Sequence, residues 1–417
     1  MSAVSPVFGH SPLVLRQWRD RVRRARRAGA RTPFYIFASA PVAAAYAQLD
    51  RLDFGRPIRH WFSAKTQPLA PLWRWWRARG GLIEVVSEFE FRAALAEGFS
   101  PDCILVNGPA KHRWLPEFSQ PGLRVNFDSP RELAALLPIA RRDRWRLGLR
   151  LRTPDEVDPE FPRFPTQFGF EPDEAAAAIR QLHRAGLPAE TVHFHLRTQV
   201  PSATDYAQAL DSVAELCRCV GWKPRHVDLG GGLPAPLTLS HEGRRFDARM
   251  DLTKFATVVR RTVERLPFVE EVWLENGRFV SAGSGVLVVR VLDVKDRPGI
   301  RQLICDGGRT LNALVASWEE HAIQPLESRA GRRVLTAVHG PTCMAFDCLA
   351  RRRLPASLRQ GDHLLWHEAG AYHLPWETRF SHGLAEVWWE DETGLTKVRA
   401  AESFEQYWSK RGESISG

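Results

Sequence analysis

The chain reads as an α/β protein, a (β/α)8 TIM barrel followed by a β domain. Between residues 37 and 284, short runs rich in β-branched and aromatic residues alternate with helical stretches. Eight such runs over roughly 230 residues match a (β/α)8 barrel in count and in length. After residue 284 the alternation stops, and strand-like runs follow one another with turns and little helix between them. An open doubly wound sheet would produce the same alternation, and strand counting alone leaves it standing.

The first segment, residues 1–36, contains RQWRDRVRRARRAGAR at 16–31, where Leu15, Trp18 and Val22 recur at helical spacing beneath an arginine-rich face. That face reads as solvated, and the segment is expected to join the β domain. Within 37–284 the barrel strands are PIRHWFSA, LIEVVS, CILVNG, RVNFDS, RLGLRLR, TVHFHL, RHVDLG and EVWLEN. The helices between them include EFRAALAEG, PRELAALLPIA, PDEAAAAIRQLHRAG and TDYAQALDSVAELCRCVG, several closing on the glycine that helix C-termini favour. The β domain, 285–417, offers GVLVVRVLDV, RQLICDG, RRVLTAVHG, HLLWHEAGAY and LAEVWWED.

Composition narrows the class. The 417 residues are 44% hydrophobic and 25% charged, the profile of a soluble globular protein. No apolar stretch approaches the roughly 20 residues that span a bilayer, so no membrane association is expected. The first residues lack the apolar core of a secretory signal. Six cysteines form neither a disulfide framework nor paired CxxC units, so no metal site is expected and a cytoplasmic setting is. The net charge of +10 permits attraction to anions. No RNA-reading aromatic motif accompanies the basic helix, and no nucleic-acid partner is expected.

In a barrel, reactive groups collect at the C-terminal ends of the strands. Those ends carry Lys65, His195, Gly230-Gly231-Gly232 and Glu275-Asn276-Gly277-Arg278. Only seven of the 58 basic residues are lysines, and an amine, unlike a guanidinium, can lose its proton and form a Schiff base. A triple glycine after a strand can point several N–H groups at one anion, and tight βα turns need glycine as well. Arg278 adds positive charge beside it. A Schiff-base lysine, a phosphate cradle and a carboxylate together specify pyridoxal 5′-phosphate, with the carboxylate keeping the pyridine nitrogen protonated.

These residues resemble the ornithine/diaminopimelate/arginine (group IV) decarboxylases, which share an alanine-racemase-like barrel (pyridoxal-phosphate fold type III). HWFSAKTQP, VNFDSPREL, QFGF, HFHL, VDLGGGLP, ENGRFVSAGSGVLVVRV, CDGG, GPTCMAFDCLA and GDHLLWHEAGAY occur in the family's order. The resemblance implies that Lys65 forms the imine, His195 stacks on the ring and Glu275 pairs with its nitrogen. It implies phosphate contacts from Gly230, Gly231, Gly232, Gly277, Arg278, Thr198 and Tyr372, with Arg150 and Glu84 near the cofactor and Glu90 at an acidic family position. Arg150 pairing with Glu84 or Glu90 is the simpler alternative. Cys343 matches a cysteine that reaches the substrate carbon from a partner subunit, so a homodimer is implied.

The departures bear on substrate. Where family members that take diamino substrates place an acid after the cysteine, this chain has Met344, then Ala345 and Phe346. Arg197 stands where the family has glycine, Asn276 where it has proline, and Gln167 where it has lysine. Losing an anion and gaining a cation disfavours a cationic side chain, because an unpaired buried ammonium is costly. The expected activity is decarboxylation of an amino acid with an apolar or carboxylate-bearing side chain, free or conjugated. Arg197, Met344 and Phe346 are its candidate substrate contacts, with the phosphate as the other reading of Arg197. Glu275 argues against the racemases of this fold, which place arginine at the ring nitrogen. A racemase or epimerase, or a non-catalytic pyridoxal-phosphate protein, are the alternatives.

Overall fold

A computed structural model describes residues 9–154, 156–157, 162–240, 243–247, 249–312 and 315–412. The chain divides into two compact units. One comprises Ala45–Pro234 and Asp247–Phe279, the other Met1–Ala44, Ala235–Phe246 and Val280–Gly417.

The first unit is a closed parallel barrel, which excludes the open sheet. Its strands, numbered one to eight here, are Ile58–Ser63, Leu82–Val85, Ile104–Val106, Arg124–Phe127, Arg146–Arg150, Ala189–His193, His226–Asp228 and Glu271–Asn276. Closure comes from strand eight, which sets Glu275 beside Trp61 of strand one and Val272 beside Val227 of strand seven. Strand residues alternate between the helix-covered outside and the barrel interior. One interior layer holds Trp61, Leu105 and Trp273 with Leu82 packed against them. His226 stacks on Trp273, and the Arg124 guanidinium lies 5.4 Å from the Trp273 ring. Burial, ahead of the neighbouring Arg146 and Arg59 charges, lowers Arg124 to about 10.

Strand six ends at His193, so His195 lies two residues beyond it rather than on the strand that the sequence suggested. Helix Pro130–Arg142 is tied in by a buried ion pair. Glu132 accepts from the Lys111 ammonium at 2.6 Å and from the backbone N–H groups of Lys111 and Asp128, and neither charged side chain is exposed. Burial lowers His226 to about 4, and Thr191 Oγ1 lies 3.1 Å from its Nδ1. A histidine whose folded pKa lies below its unfolded value of 6.5 destabilises the fold as pH falls from about 6.5 towards 4, because the unfolded chain then binds the extra proton. Replacing His226→Gln should flatten this part of the curve of Tm against pH; an unchanged slope would show that His226 does not contribute.

In the second unit, Phe34–Ala38 lies between two later strands. It pairs antiparallel with Gly285–Arg297 and parallel with Glu386–Asp391. Helix Pro12–Arg27 lays Trp18, Val22 and Ala25 against Phe34, Ile36, Val286, Val288, Leu365 and Trp388. Its outer face is partly ion-paired: Arg21 and Arg24 both meet Glu390, and Arg23 meets Glu327. Several strands escape a sequence reading, Phe34–Ala38 among them, and two of the others lie at sheet edges. Cys348–Pro355 carries three arginines and pairs antiparallel with Arg333–His339, while Gly394–Arg399 is an exposed partner of Glu386–Asp391. Charge runs of this kind suit edges that must resist further pairing.

Candidate active site

One turn along the strands from the Trp61–Trp273 layer, the inward positions become polar. Moving on by two residues leads from Trp61 to Ser63, Leu82 to Glu84, Leu105 to Asn107 and Arg124 to Asn126. The same step leads from Thr191 to His193, His226 to Asp228 and Trp273 to Glu275. The contacts show that these side chains converge. Ser63 Oγ donates to Glu84 at 2.6 Å, Asn126 Nδ2 donates to Asn107 Oδ1 at 3.0 Å, and Asn107 Nδ2 donates to Glu275 Oε1. Strand five leaves room for this network: a Cβ on Gly148 would lie 2.0 Å from Asn126 Oδ1.

Lys65 sits on the turn Ala64–Thr66 directly after strand one, and its Nζ lies 2.8 Å from Glu84 Oε2. Glu84 is buried, whereas about a third of the lysine side chain is open to solvent. The amine is thus delivered to the barrel mouth beside a carboxylate able to hold its proton. Glu90 has a structural role instead. It accepts from the Val86 N–H at 2.8 Å at the start of helix Glu88–Ala96, and burial raises its pKa.

Glu275 is buried at the end of strand eight. Burial first, then the nearby Asp228 and Glu84 carboxyls, hold it well above the usual carboxylate range, while Lys65 and Arg150 pull the other way. Asp228 is pushed up to about 7 by burial and is hydrogen-bonded to Glu275. Donor atoms of His193, Asp228 and Glu275 lie within 4.8 Å of one another. His193 is buried and held well below its ordinary value by that burial, with Arg150 as the next cause, which disfavours its charged form even though its Nε2 lies 3.3 Å from Glu275 Oε1.

The glycine turn after strand seven is required sterically. Gly230 and Gly232 have φ of +63° and +97°. A Cβ on Gly231 would lie 2.8 Å from the Glu275 carbonyl oxygen, and one on Gly277 would lie 2.5 Å from Thr66 Oγ1. Two of the turn's amides point inward: Gly230 N–H donates to Asp228 Oδ1 and Gly231 N–H to His195 Nδ1 at 3.1 Å. That bond requires an unprotonated Nδ1, so the imidazole is neutral. Burial, with Arg150 and Lys65 adding positive charge, also lowers it, to about 3. Arg278, in the turn after strand eight, is buried.

Arg150, at the end of strand five, pairs with Glu156 at 2.6 Å and lies 4.4 Å from the Phe168 ring, so neither Glu84 nor Glu90 is its partner. Arg197 pairs with Asp205 in the first turn of helix Ala203–Val220, and Thr198 is exposed.

The other unit holds the remaining candidates. In the segment from Gly340 to Asp347, Cys343 is exposed and Phe346 is 61% exposed, with Met344 half-buried. Asp347 is buried and pins the segment, accepting from Arg309 N–H at 2.6 Å and from the Thr342 N–H and hydroxyl. Tyr372 adopts φ +63° and packs with Ala235, Ala282 and Ala371. Gly370 before it can carry no side chain, because a Cβ would meet the Ser281 carbonyl oxygen at 1.7 Å. Asn107, Asn126, His193, Asp228 and Asp347 were not among the residues singled out from sequence. For the four barrel residues, a polar side chain at or beside the end of each short strand, in the same inward register, was the available signal; Asp347 lies outside the barrel strands and had none.

Comparison with known proteins gives the site its chemistry. Residues 43–282 match the pyridoxal-binding domain of the pyridoxal-dependent decarboxylases. A diaminopimelate decarboxylase of Actinosynnema pretiosum is 31% identical over 335 residues, covering 75% of this chain and 73% of that one. An L-glutamyl acyl-carrier-protein decarboxylase of Niallia circulans is 27% identical, covering 82% of this chain and 84% of that one. In fold, the diaminopimelate decarboxylase of Helicobacter pylori, solved with L-lysine, superposes with a TM-score of 0.80 over 94% of this chain and 100% of that one, at 21% identity. The structure fits the cofactor these matches imply: a strand-end amine, a buried acid and a glycine cradle that a Cβ would fill all lie at one barrel mouth. The chain belongs to the pyridoxal 5′-phosphate-dependent decarboxylases of the alanine-racemase-like fold, and it is a carboxy-lyase.

Proposed function

We propose that this decarboxylase takes an amino acid whose side chain is apolar or carries a carboxylate, free or conjugated, rather than a diamino acid. One observation carries the reading. The only acid in the segment 340–347 is Asp347, and both its carboxylate oxygens are engaged by Arg309 and Thr342. Around Cys343 the segment therefore presents Met344, Ala345 and Phe346, which offer a distal ammonium no counter-charge. Most of the named relatives are diaminopimelate decarboxylases, but the glutamyl-specific one supports a family scaffold adaptable to an uncharged or acidic substrate.

Pyridoxal 5′-phosphate supplies the aldehyde for an imine and a protonated ring that accepts the electron pair left by departing CO2. The chain's own groups do the rest. Lys65 provides the amine, with Glu84 holding or returning its proton. Glu275 would hold the ring nitrogen, and neutral His195, its Nδ1 fixed by the Gly231 N–H, would pack against the ring. Gly232, Gly277 and Arg278 would hold the phosphate, with Thr198 and Tyr372 offering hydroxyls and Arg150 near the cofactor. Cys343, contributed across a homodimer interface, donates the proton that replaces CO2. The setting is cytoplasmic; among the described residues no helix is long and apolar enough to cross a membrane. Arg197, held by Asp205, is the candidate contact for a substrate carboxylate or for the phosphate.

The test is CO2 release over an amino-acid panel. Lysine, ornithine and diaminopimelate should fall at least about 100-fold in kcat/KM below the best apolar or acidic substrate, the effect of leaving one ammonium unpaired. Brisk turnover of any of the three would end the proposal.

A further inference from the structure

The buried carboxyl pair Asp228 and Glu275 has a charge problem that the rest of the barrel does not solve. Of the cations facing it, Lys65 is matched by Glu84 and Arg150 by Glu156. Lys111, further off, is matched by Glu132. His193 Nε2 lies 3.3 Å from Glu275 Oε1, but its complete burial among Arg150, Lys111 and Lys65 disfavours the charged form. His195 is neutral, and Asn107 and Asn126 bring amide donors without charge. Two ionised carboxylates in hydrogen-bond contact, with no counter-charge left over, cannot both persist in a buried site. One proton must lie between them.

A protonated ring nitrogen settles where that proton goes, since it requires an ionised partner: Glu275 is the acid assigned to the nitrogen above, whereas Asp228, which also closes its strand, is tied to the glycine turn through the Gly230 N–H. We propose that Asp228 is a positioning residue for the reaction. It keeps its proton, donates it in a hydrogen bond to Glu275, and leaves Glu275 as the single ionised member of the pair, aimed at the ring nitrogen. Two contacts orient it: Gly230 N–H donates to its Oδ1 at 3.0 Å, and Asn126 Nδ2 approaches its Oδ2 at 3.5 Å. Asn107 Nδ2 donates to Glu275 Oε1 and fixes that carboxylate as well. Burial raises both acids, which supports one shared proton, and the ring nitrogen rather than the burial assigns that proton to Asp228. The inference holds whichever side chain the substrate carries.

The test compares Asp228→Asn and Asp228→Ala in the enzyme loaded with pyridoxal 5′-phosphate. Asparagine is isosteric and a neutral donor, so it reproduces the protonated acid and not the ionised one. Asp228→Asn should keep the pH midpoint of the bound cofactor's visible absorbance, and kcat/KM should stay within about threefold of wild type. Asp228→Ala should shift that midpoint and lower kcat/KM by on the order of 100-fold, the scale for losing one donor at a charged centre. Infrared spectroscopy of the wild-type holoenzyme should show a deuterium-sensitive C=O stretch of a buried protonated carboxyl that Asp228→Asn removes. Asparagine as damaging as alanine, or a band absent from wild type or still present in Asp228→Asn, would overturn the proposal.

Discussion

Lys65→Ala should lower decarboxylation by on the order of 10⁴-fold or more, the scale seen when the group that makes the covalent bond is removed. The variant should still fold, because Lys65 lies on a solvent-reaching turn and packs no core. Borohydride treatment of the loaded wild-type protein should add the cofactor's mass at this lysine, and the variant should gain none. Lys65→Arg should be as inactive as the alanine, since guanidinium keeps its proton. That comparison separates the chemistry from the charge: if arginine restored activity, Lys65 would be only a counter-ion for Glu84, and the covalent role would be lost.

Glu132→Ala should destabilise the barrel unit by about 3–5 kcal/mol, the usual penalty for stranding one member of a buried ion pair. The Lys111 ammonium would keep only the Gly108 carbonyl oxygen at 2.6 Å, and the backbone N–H groups of Lys111 and Asp128 would lose their acceptor. The measurement is urea denaturation of the wild type, Glu132→Ala and the double variant Lys111→Met/Glu132→Leu. The double variant should recover part of the loss, because it removes the stranded charge together with its partner. A single variant within about 1 kcal/mol of wild type would show that the ammonium finds water or another partner when Glu132 is gone.

Much of the barrel was legible because its code is local. Strand runs such as EVWLEN and RVNFDS are bounded by turn residues, and helices such as TDYAQALDSVAELCRCVG end on glycine. The lysine, the triple glycine and the acid were also visible, since each closes a strand and the barrel gathers strand ends at one mouth. The strand Cys348–Pro355 was hidden behind LARRRLP, where charge at an edge masks the β pattern. Glu156, the partner of Arg150, lies in an irregular stretch that no periodicity marks.

By itself, then, the sequence specified the alternating architecture and the cofactor, and it marked a lysine at a strand end, because each depends on residue type at a position countable along the chain. Tertiary structure alone decided the protonation of the site. Asn107, Asn126, His193 and Asp228 come from four different strands or the residues that close them, and each looks like an ordinary polar residue in its own segment. Only barrel closure brings them against Glu275, removes the water and leaves two acids to share one proton. Charge in a buried site depends on distance and exclusion of solvent, and neither quantity is written in sequence order.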